Sequence, residues 1–424
     1  LPSRSSPSGA LALVVAAALA TYALYGATLG YGLDYDDYHF LRPHSRSQVL
    51  ASFHGSWDDS GVMVPFYRPL TVAFSALRFE LFGLNARAHH VVSLALFTLA
   101  ALLVGWFVYR STARPIAAGL SVLLFICHPA MPYSLAAWIT NQMHLLQILV
   151  ILAAVAWWDL VRNRGIVWWL PLLGLAIASF MVKEDGVMLL PAILTLHELR
   201  RRLMDPETRR MPIVFVVLSL ITIAALIGVR TLALGELGGY GRPSASAAWR
   251  NVWTTLYGVY RLVPADRDWQ RLASAFATAL PLFAIGAWRW ISPAARFCLV
   301  AGSALALVFA VPLVFGTKPE QVYMIGTGIA IVLAGAVVAL FDLAARLPSP
   351  TIARIVAVAV VGAGIASFGA VTRSIVRDFE PFGPIVLAND EIVATWGHVA
   401  PELRDYVRRK QEPGARHRIS ADPL

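Results

Sequence analysis

Charge is scarce in this chain. Only 14% of its 424 residues are charged, while 58% are hydrophobic. Soluble domains carry about a quarter charged residues, so a soluble globular protein is excluded and an integral membrane protein is expected. Cysteine is nearly absent, with only Cys127 and Cys298. The topology argued below puts these two at opposite membrane faces, which excludes a disulfide between them. Internal repeats and low-complexity stretches are lacking, which removes solenoids and propellers. Also missing are a phosphate-cradling glycine loop, a nucleophile elbow and an HExxH sequence. Lysine occurs three times, at Lys183, Lys318 and Lys410. Hardly any ionisable residue falls at the middle of an apolar run. That argues against ion-coupled and proton-coupled transport, which needs such groups at mid-membrane.

What the chain does have is long apolar runs. A span needs about 20 apolar residues. Candidates are Leu11–Tyr31, His90–Val108, Ile116–Cys127, Ile139–Trp158, Val167–Val182, Val187–Leu199, Ile213–Val229, Ala273–Trp288, Phe297–Phe315, Val322–Leu343 and Ile352–Val371. The expected fold is therefore an all-α polytopic bundle of about eleven transmembrane helices. No cleavage-site pattern follows the first run, so it is expected to be a retained span. The stretch Leu70–Leu84 is different. It carries Arg78 and Glu80 near its middle, with Thr71, Ser75 and Arg78 on one helical side. This predicts an amphipathic helix in the interface.

The net charge is +10. No solvated basic face is visible, so nucleic acid is not an expected partner. The arginines sit in short clusters between apolar runs, a pattern that fits topology and anionic lipid. Arg110 and Arg114, Arg162 and Arg164, the arginines of "ELRRRLMDPETRR", Arg289 and Arg296, and Arg346 and Arg354 alternate with the spans. All are expected on the cytoplasmic side. The loop over residues 32–89 then lies on the other side, as do the turn "VKEDG" and the segment "TKPEQ". The membrane domain is expected over residues 1–372, with a polar extracytoplasmic tail over 373–424. Within the tail, "PIVLANDEIVATWGHV" is expected to dock on the outer face as an amphipathic helix.

Chemistry-bearing residues gather on that outer side. The stretch "LDYDDYHF" packs Asp34, Asp36 and Asp37 beside the end of the first span. One reading is a solvated loop. The other is a general base, because a carboxylate held near lipid has a raised pKa and accepts a proton from an incoming hydroxyl. Asp36 and Asp37 with His39 could also hold a divalent cation such as magnesium or manganese, although the spacing matches no strong zinc pattern. In "FYRPLT", Arg68 is either a snorkelling arginine or a clamp on phosphate. In "VKEDG", Lys183 could neutralise a lipid phosphate, with Glu184 or Asp185 orienting it; a plain charged turn is the alternative. His128 precedes Pro129 at a helix end, where a hydrogen-bonding role is expected. The aromatic residues Tyr35, Tyr38, Trp57, Tyr67 and Trp138 are candidates to stack on sugar.

Taken together, "DDYHF", "YRPLTVAFSALRFELFGLNARAHHVVSLALFTLAALLV", "HPAMPYSLAAWITNQMHLLQILVILAA" and "VKEDGVMLLPAILTLHEL" resemble the GT-C superfamily of polytopic glycosyltransferases. The likeness is to the protein O-mannosyltransferase branch, especially its tetratricopeptide-repeat members, and covers residues 35–199 best. Residues 200–424 contain no such repeats. The resemblance implies transfer of a sugar from a polyprenyl-phosphate-type lipid donor to a protein or glycan acceptor. It implies a site on the extracytoplasmic face of a cytoplasmic membrane, as in the bacterial inner membrane. By position, Asp36 and Asp37 match the acidic pair that carries the base. Arg68 matches the arginine of the "RPLT" segment, and Lys183 with Glu184 matches the "KE" element. The pattern departs at Tyr133, where the family has glutamate, and at Gln142 and His144, where it has arginine and aspartate. His144 is a candidate substitute as ligand or hydrogen-bond partner. These departures keep a second reading open, a non-catalytic subunit of a membrane complex that retains the fold. A third is a lipid or polysaccharide transporter, which would need a polar path across the bilayer.

Overall fold

The computed structural model describes residues 7–33, 37, 40–57, 66–129, 131–132, 139–235, 246, 249, 268–312 and 323–378. Among the described residues every regular element is helical. In chain order the helices are α1 (Pro7–Tyr25), α2 (Arg46–Ala51), α3 (Pro69–Phe82), α4 (Ala86–Thr112), α5 (Pro115–Cys127), α6 (Gln142–Val161) and α7 (Leu170–Val182). They continue as α8 (Leu189–Leu203), α9 (Ile213–Leu234), α10 (Asp268–Gly286), α11 (Pro293–Ala310), α12 (Tyr323–Ala344) and α13 (Pro350–Asp378).

Local chemistry sets several of these boundaries. Asn85 caps α4 by accepting the Ala88 N–H at 2.9 Å, and Ser292 caps α11 through the Ala295 N–H at 3.2 Å. Helices α3, α5, α7 and α11 carry proline in the first turn, where its missing N–H costs nothing. Helix α4 stops at Ala113, which takes the left-handed conformation (φ 54°) before Pro115 opens α5.

Seven described helical segments are long and apolar enough to cross a membrane, and three shorter apolar ones cover 115–127, 166–182 and 271–286. Each coincides with an expected span. The remaining expected span, Val187–Leu199, falls on a short turn and α8, which is amphipathic and ends in Arg200, Arg201 and Arg202. Helix α12 is the axis of the bundle, with almost every residue from Tyr323 to Ala339 buried. It lies against α11 at backbone distance. A Cβ on Gly302 would come within 2.5 Å of the Gly328 carbonyl oxygen, and one on Gly335 within 2.8 Å of the Leu299 nitrogen. Only glycine permits so close a crossing.

The helix ends sort by chemistry. At one end Tyr25 Oη donates to the Ile126 carbonyl at 2.8 Å, and Thr372 Oγ1 to the Cys127 carbonyl at 2.7 Å. The C-terminal ends of α1, α5 and α13 therefore share that end. At the other, Arg110 Nε meets Asp159 Oδ2 at 2.7 Å, Arg114 pairs with Asp342, and Asp342 Oδ2 accepts the Ser292 N–H at 2.9 Å. The basic loops thus gather together, as the alternation in sequence predicts. Both cysteines are free and buried.

Helix α3 is amphipathic as expected, with its polar side turned inward. Thr71, Ser75 and Arg78 are buried, while Leu77 and Leu81 are 51% and 63% exposed. The partners described next explain this inversion: the polar side chains of α3 bond to the ends of α4, α6 and α7.

Candidate functional site

The turn "VKEDG" is the hinge of the site. Helix α7 ends at Val182, whose carbonyl accepts from Thr71 Oγ1 of α3 at 2.7 Å. The chain then makes a tight turn over Glu184–Met188. Gly186 is packed against α7, and a Cβ there would lie 2.3 Å from the Ser179 carbonyl carbon. Glycine lets the turn fold back that closely, and the charged side chains divide: Glu184 goes one way, Lys183 and Asp185 the other.

Glu184 goes to the start of α3. It accepts the Tyr67 N–H at 2.8 Å on Oε1, and Arg68 Nε at 3.1 Å on Oε2. Arg68 precedes the first residue of α3, where the helix dipole disfavours a cation. Glu184 supplies the compensating charge. The Arg68 guanidinium also lies 3.9 Å from the centre of the Phe66 ring and donates through Nη1 to Met143 Sδ at 3.3 Å. Only 7% of Arg68 is exposed. It is a buried, paired cation rather than a snorkelling one.

Asp185 goes the other way, into the gap between α6 and α12. Its Oδ2 pairs with Lys183 Nζ at 3.1 Å, and its Oδ1 accepts Gln147 Nε2 at 2.6 Å. The Tyr323 hydroxyl completes the cluster, bonded to Gln147 Oε1 and donating to Asp185 Oδ2 at 3.3 Å. Lys183 Nζ donates to that hydroxyl at 3.4 Å. The His144 ring stacks on Tyr323, with centroids 4.4 Å apart and planes 20° from parallel. Burial lowers the Lys183 pKa below the usual lysine range, against the upward pull of Asp185. Of the two acids expected to orient Lys183, Asp185 makes the ion pair; Glu184 pairs with Arg68.

The acidic loop is described at Asp37. That residue is fully buried, its carbonyl accepting the Leu41 N–H at 2.7 Å. Its charge acts on Arg78, also buried, and burial pulls the Arg78 guanidinium down to about 10 against the upward pull of Asp37. Arg78 bonds to Gln142 and to the His89 carbonyl, while Gln142 Nε2 donates to Ser75 Oγ at 2.7 Å. Arg78 was not legible as a site residue, and Gln142 only as a departure from the family pattern. Only the helical spacing of Thr71, Ser75 and Arg78 hinted that they share an environment.

Other expectations fare differently. Asp36 and His39 lie outside the described residues, as do Tyr35, Tyr38, Tyr133 and Trp138. Among the described residues no group of three His, Cys, Asp or Glu side chains is placed to hold a metal. His128 is buried against Phe368 of α13 at 5.6 Å between ring centres. Trp57 and Tyr67 are described, and both are buried. Trp57 stacks on Phe40 at 4.3 Å in a small apolar cluster, and Tyr67 Oη donates to the Phe53 carbonyl at 3.1 Å. Both pack against residues of the first loop, and Trp57 also lines a cavity with Arg42, His44 and Gln48.

No protein-family model matches the sequence, and no curated protein matches it. Two solved structures share the architecture. The oligosaccharyltransferase of Archaeoglobus fulgidus, in its apo form, aligns over 99% of this chain with TM-score 0.57 at 14% identity. This chain spans 60% of that protein's length. ArnT from Cupriavidus metallidurans, bound to undecaprenyl phosphate, aligns over 94% of this chain and 85% of its own, with TM-score 0.56 at 12% identity. At such identities the likeness is one of fold: this chain is an integral membrane protein, all-helical among the described residues, that shares the architecture of these two structures.

Proposed function

We propose that this protein is a membrane glycosyltransferase that moves a sugar from a polyprenyl-phosphate-type donor to an acceptor hydroxyl. One observation carries the reading. Two cations, Arg68 and Lys183, are buried at one end of the bundle, each held by a carboxylate of the same turn. They lie at the bundle end that carries the acidic first loop. Buried cations are costly unless paired or used. In ArnT that fold binds undecaprenyl phosphate.

In the proposed reaction an acceptor oxygen attacks the anomeric carbon as the bond from that carbon to the donor phosphate breaks. Asp36 takes the hydroxyl proton. Arg68 and Lys183 meet the charge that grows on the leaving lipid phosphate. Glu184, Asp185, Gln147 and Tyr323 fix those cations beforehand, so little reorganisation is needed. Asp37, whose charge acts on the buried Arg78, is the neighbour of Asp36 in sequence. A divalent cation, magnesium or manganese, would take an oxygen ligand from Asp36 and supply further positive charge; the buried Asp37, facing Arg78, fits a second ligand less well. The basic loops then face the cytoplasm and the site faces the outside of a bacterial inner membrane. Protein acceptors, as in the O-mannosyltransferase branch, are the first class to assay.

The test is sugar release from a radiolabelled polyprenyl-phosphate sugar by the full chain in lipid vesicles. Asp36→Asn abolishes transfer while the protein stays folded; unchanged turnover would remove Asp36 as the base. A second reading, a non-catalytic subunit, draws on the saturation of Arg68 and Lys183 by Glu184 and Asp185. It predicts co-purification in fixed stoichiometry with a partner and no transfer by the wild-type chain with any donor.

A further inference from the structure

At the bundle end opposite the candidate site, one carboxylate is shared by three arginines. Asp159 Oδ2 pairs with Arg110 Nε at 2.7 Å, and Oδ1 with Arg162 and, at 3.6 Å, with Arg200 Nη1. The Asp159 side chain is 2% exposed and Arg200's 9%, whereas Arg110's is 35% exposed. Asp205 acts on Arg200 through its field without an ion pair. Counting Arg110, Arg162 and Arg200 against both acids, the cluster keeps a surplus positive charge. The buried Nε atoms of Arg162 and Arg200 have no acceptor. One carboxylate does not satisfy three guanidinium groups, and a buried surplus of charge calls for a further anion.

The surroundings say which kind. Arg110 lies over the Trp106 ring at 5.9 Å and Arg164 over Trp168 at 4.8 Å, pairings suited to the level of lipid headgroups. Beside them Leu160, Val167, Trp168 and Leu170 are 43–70% exposed. Cationic groups above an apolar face fit an anion with acyl chains attached.

We propose that the Arg110–Arg162–Arg200 cluster binds a phosphate-bearing anion, supplied in the membrane by an anionic phospholipid headgroup. Nη atoms of Arg110 reach the phosphate while its Nε stays on Asp159, and the acyl chains lie along Leu160 and Val167. The site is separate from the proposed donor site and does not depend on that function.

The test uses the full chain in a neutral detergent, titrated with short-chain phosphatidylglycerol, with phosphatidylcholine of the same chain length, or with inorganic phosphate. The readout is the unfolding midpoint, which rises when a ligand binds the native state. Phosphatidylglycerol is expected to raise it saturably and phosphatidylcholine not. Arg110→Gln weakens the apparent affinity about tenfold, the loss of one charge-assisted hydrogen bond; Arg162→Gln, which removes another cation of the cluster, serves if Arg110→Gln fails to fold. Equal stabilisation by inorganic phosphate, lost in the same variants, supports the site and makes the soluble ion its occupant. No difference between the two lipids, or an effect that survives Arg110→Gln and Arg162→Gln, overturns the proposal and leaves the cluster as a structural lock.

Discussion

Lys183 and Arg78 are the two residues whose burial has the clearest consequences. Lys183 faces Asp185 and the Tyr323 hydroxyl, with the charges of Arg68 and Glu184 also acting on it. Its lowered pKa means that it loses its proton below the ordinary lysine value of about 10.4. If its charge assists transfer, the alkaline limb of the rate profile falls below that value. Lys183→Arg, which stays protonated, moves the limb upward. Stability has the matching sign. Between the two pKa values the unfolded chain holds the proton more tightly, so unfolding free energy rises with pH there. A limb unmoved in Lys183→Arg would show that another group sets it. Arg78 makes a different prediction. Arg78→Gln removes the cation beside buried Asp37, at a cost on the order of 3 kcal/mol in thermal unfolding. Adding Asp37→Asn should recover part of that loss, because the two sites couple. Strict additivity would show that they do not act on one another.

At the scale of elements, α3 shows how far pattern reading goes. Its period-3.6 polarity was plain in Thr71, Ser75 and Arg78. Which side faces in was not. A polar stripe turns to solvent by default, but here Val182, Gln142 and His89 offer partners inside, and lipid suits Leu77 and Leu81 outside. The prediction follows in two variants. Ser75→Leu overpacks a buried position and costs about 1–3 kcal/mol. Leu77→Ser, on the exposed face, costs under about 0.5 kcal/mol in detergent. The reverse order in thermal unfolding would invert the helix. The turn after α7 teaches the complementary point. "VKEDG" was visible as a charged break, yet the division of Glu184 to Arg68 and Asp185 to Lys183 depends on Gly186 lying against Ser179.

For the whole molecule, the question is which end faces which compartment. Leu347 is exposed at the end of the basic loops, and Glu80 is exposed on α3 at the other. Both native cysteines are buried, so they give little background to a thiol reagent. A membrane-impermeant maleimide added to intact cells should label Glu80→Cys and spare Leu347→Cys. The opposite pattern would reverse the proposed orientation.

The sequence alone determined the solvent and the architecture. Scarce charge and apolar runs of span length require a bilayer, because water and hydrocarbon sort side chains before any contact forms. Alternating arginine clusters then order the helix ends. These are properties of composition and period, additive along the chain. Pairing is not additive. Arg68 with Glu184, Lys183 with Tyr323, and Arg78 with Gln142 join residues 64 to 140 positions apart. Only the tertiary structure could decide them. A buried charge accepts whichever partner the packing delivers, and packing depends on close approaches such as Gly302 on Gly328.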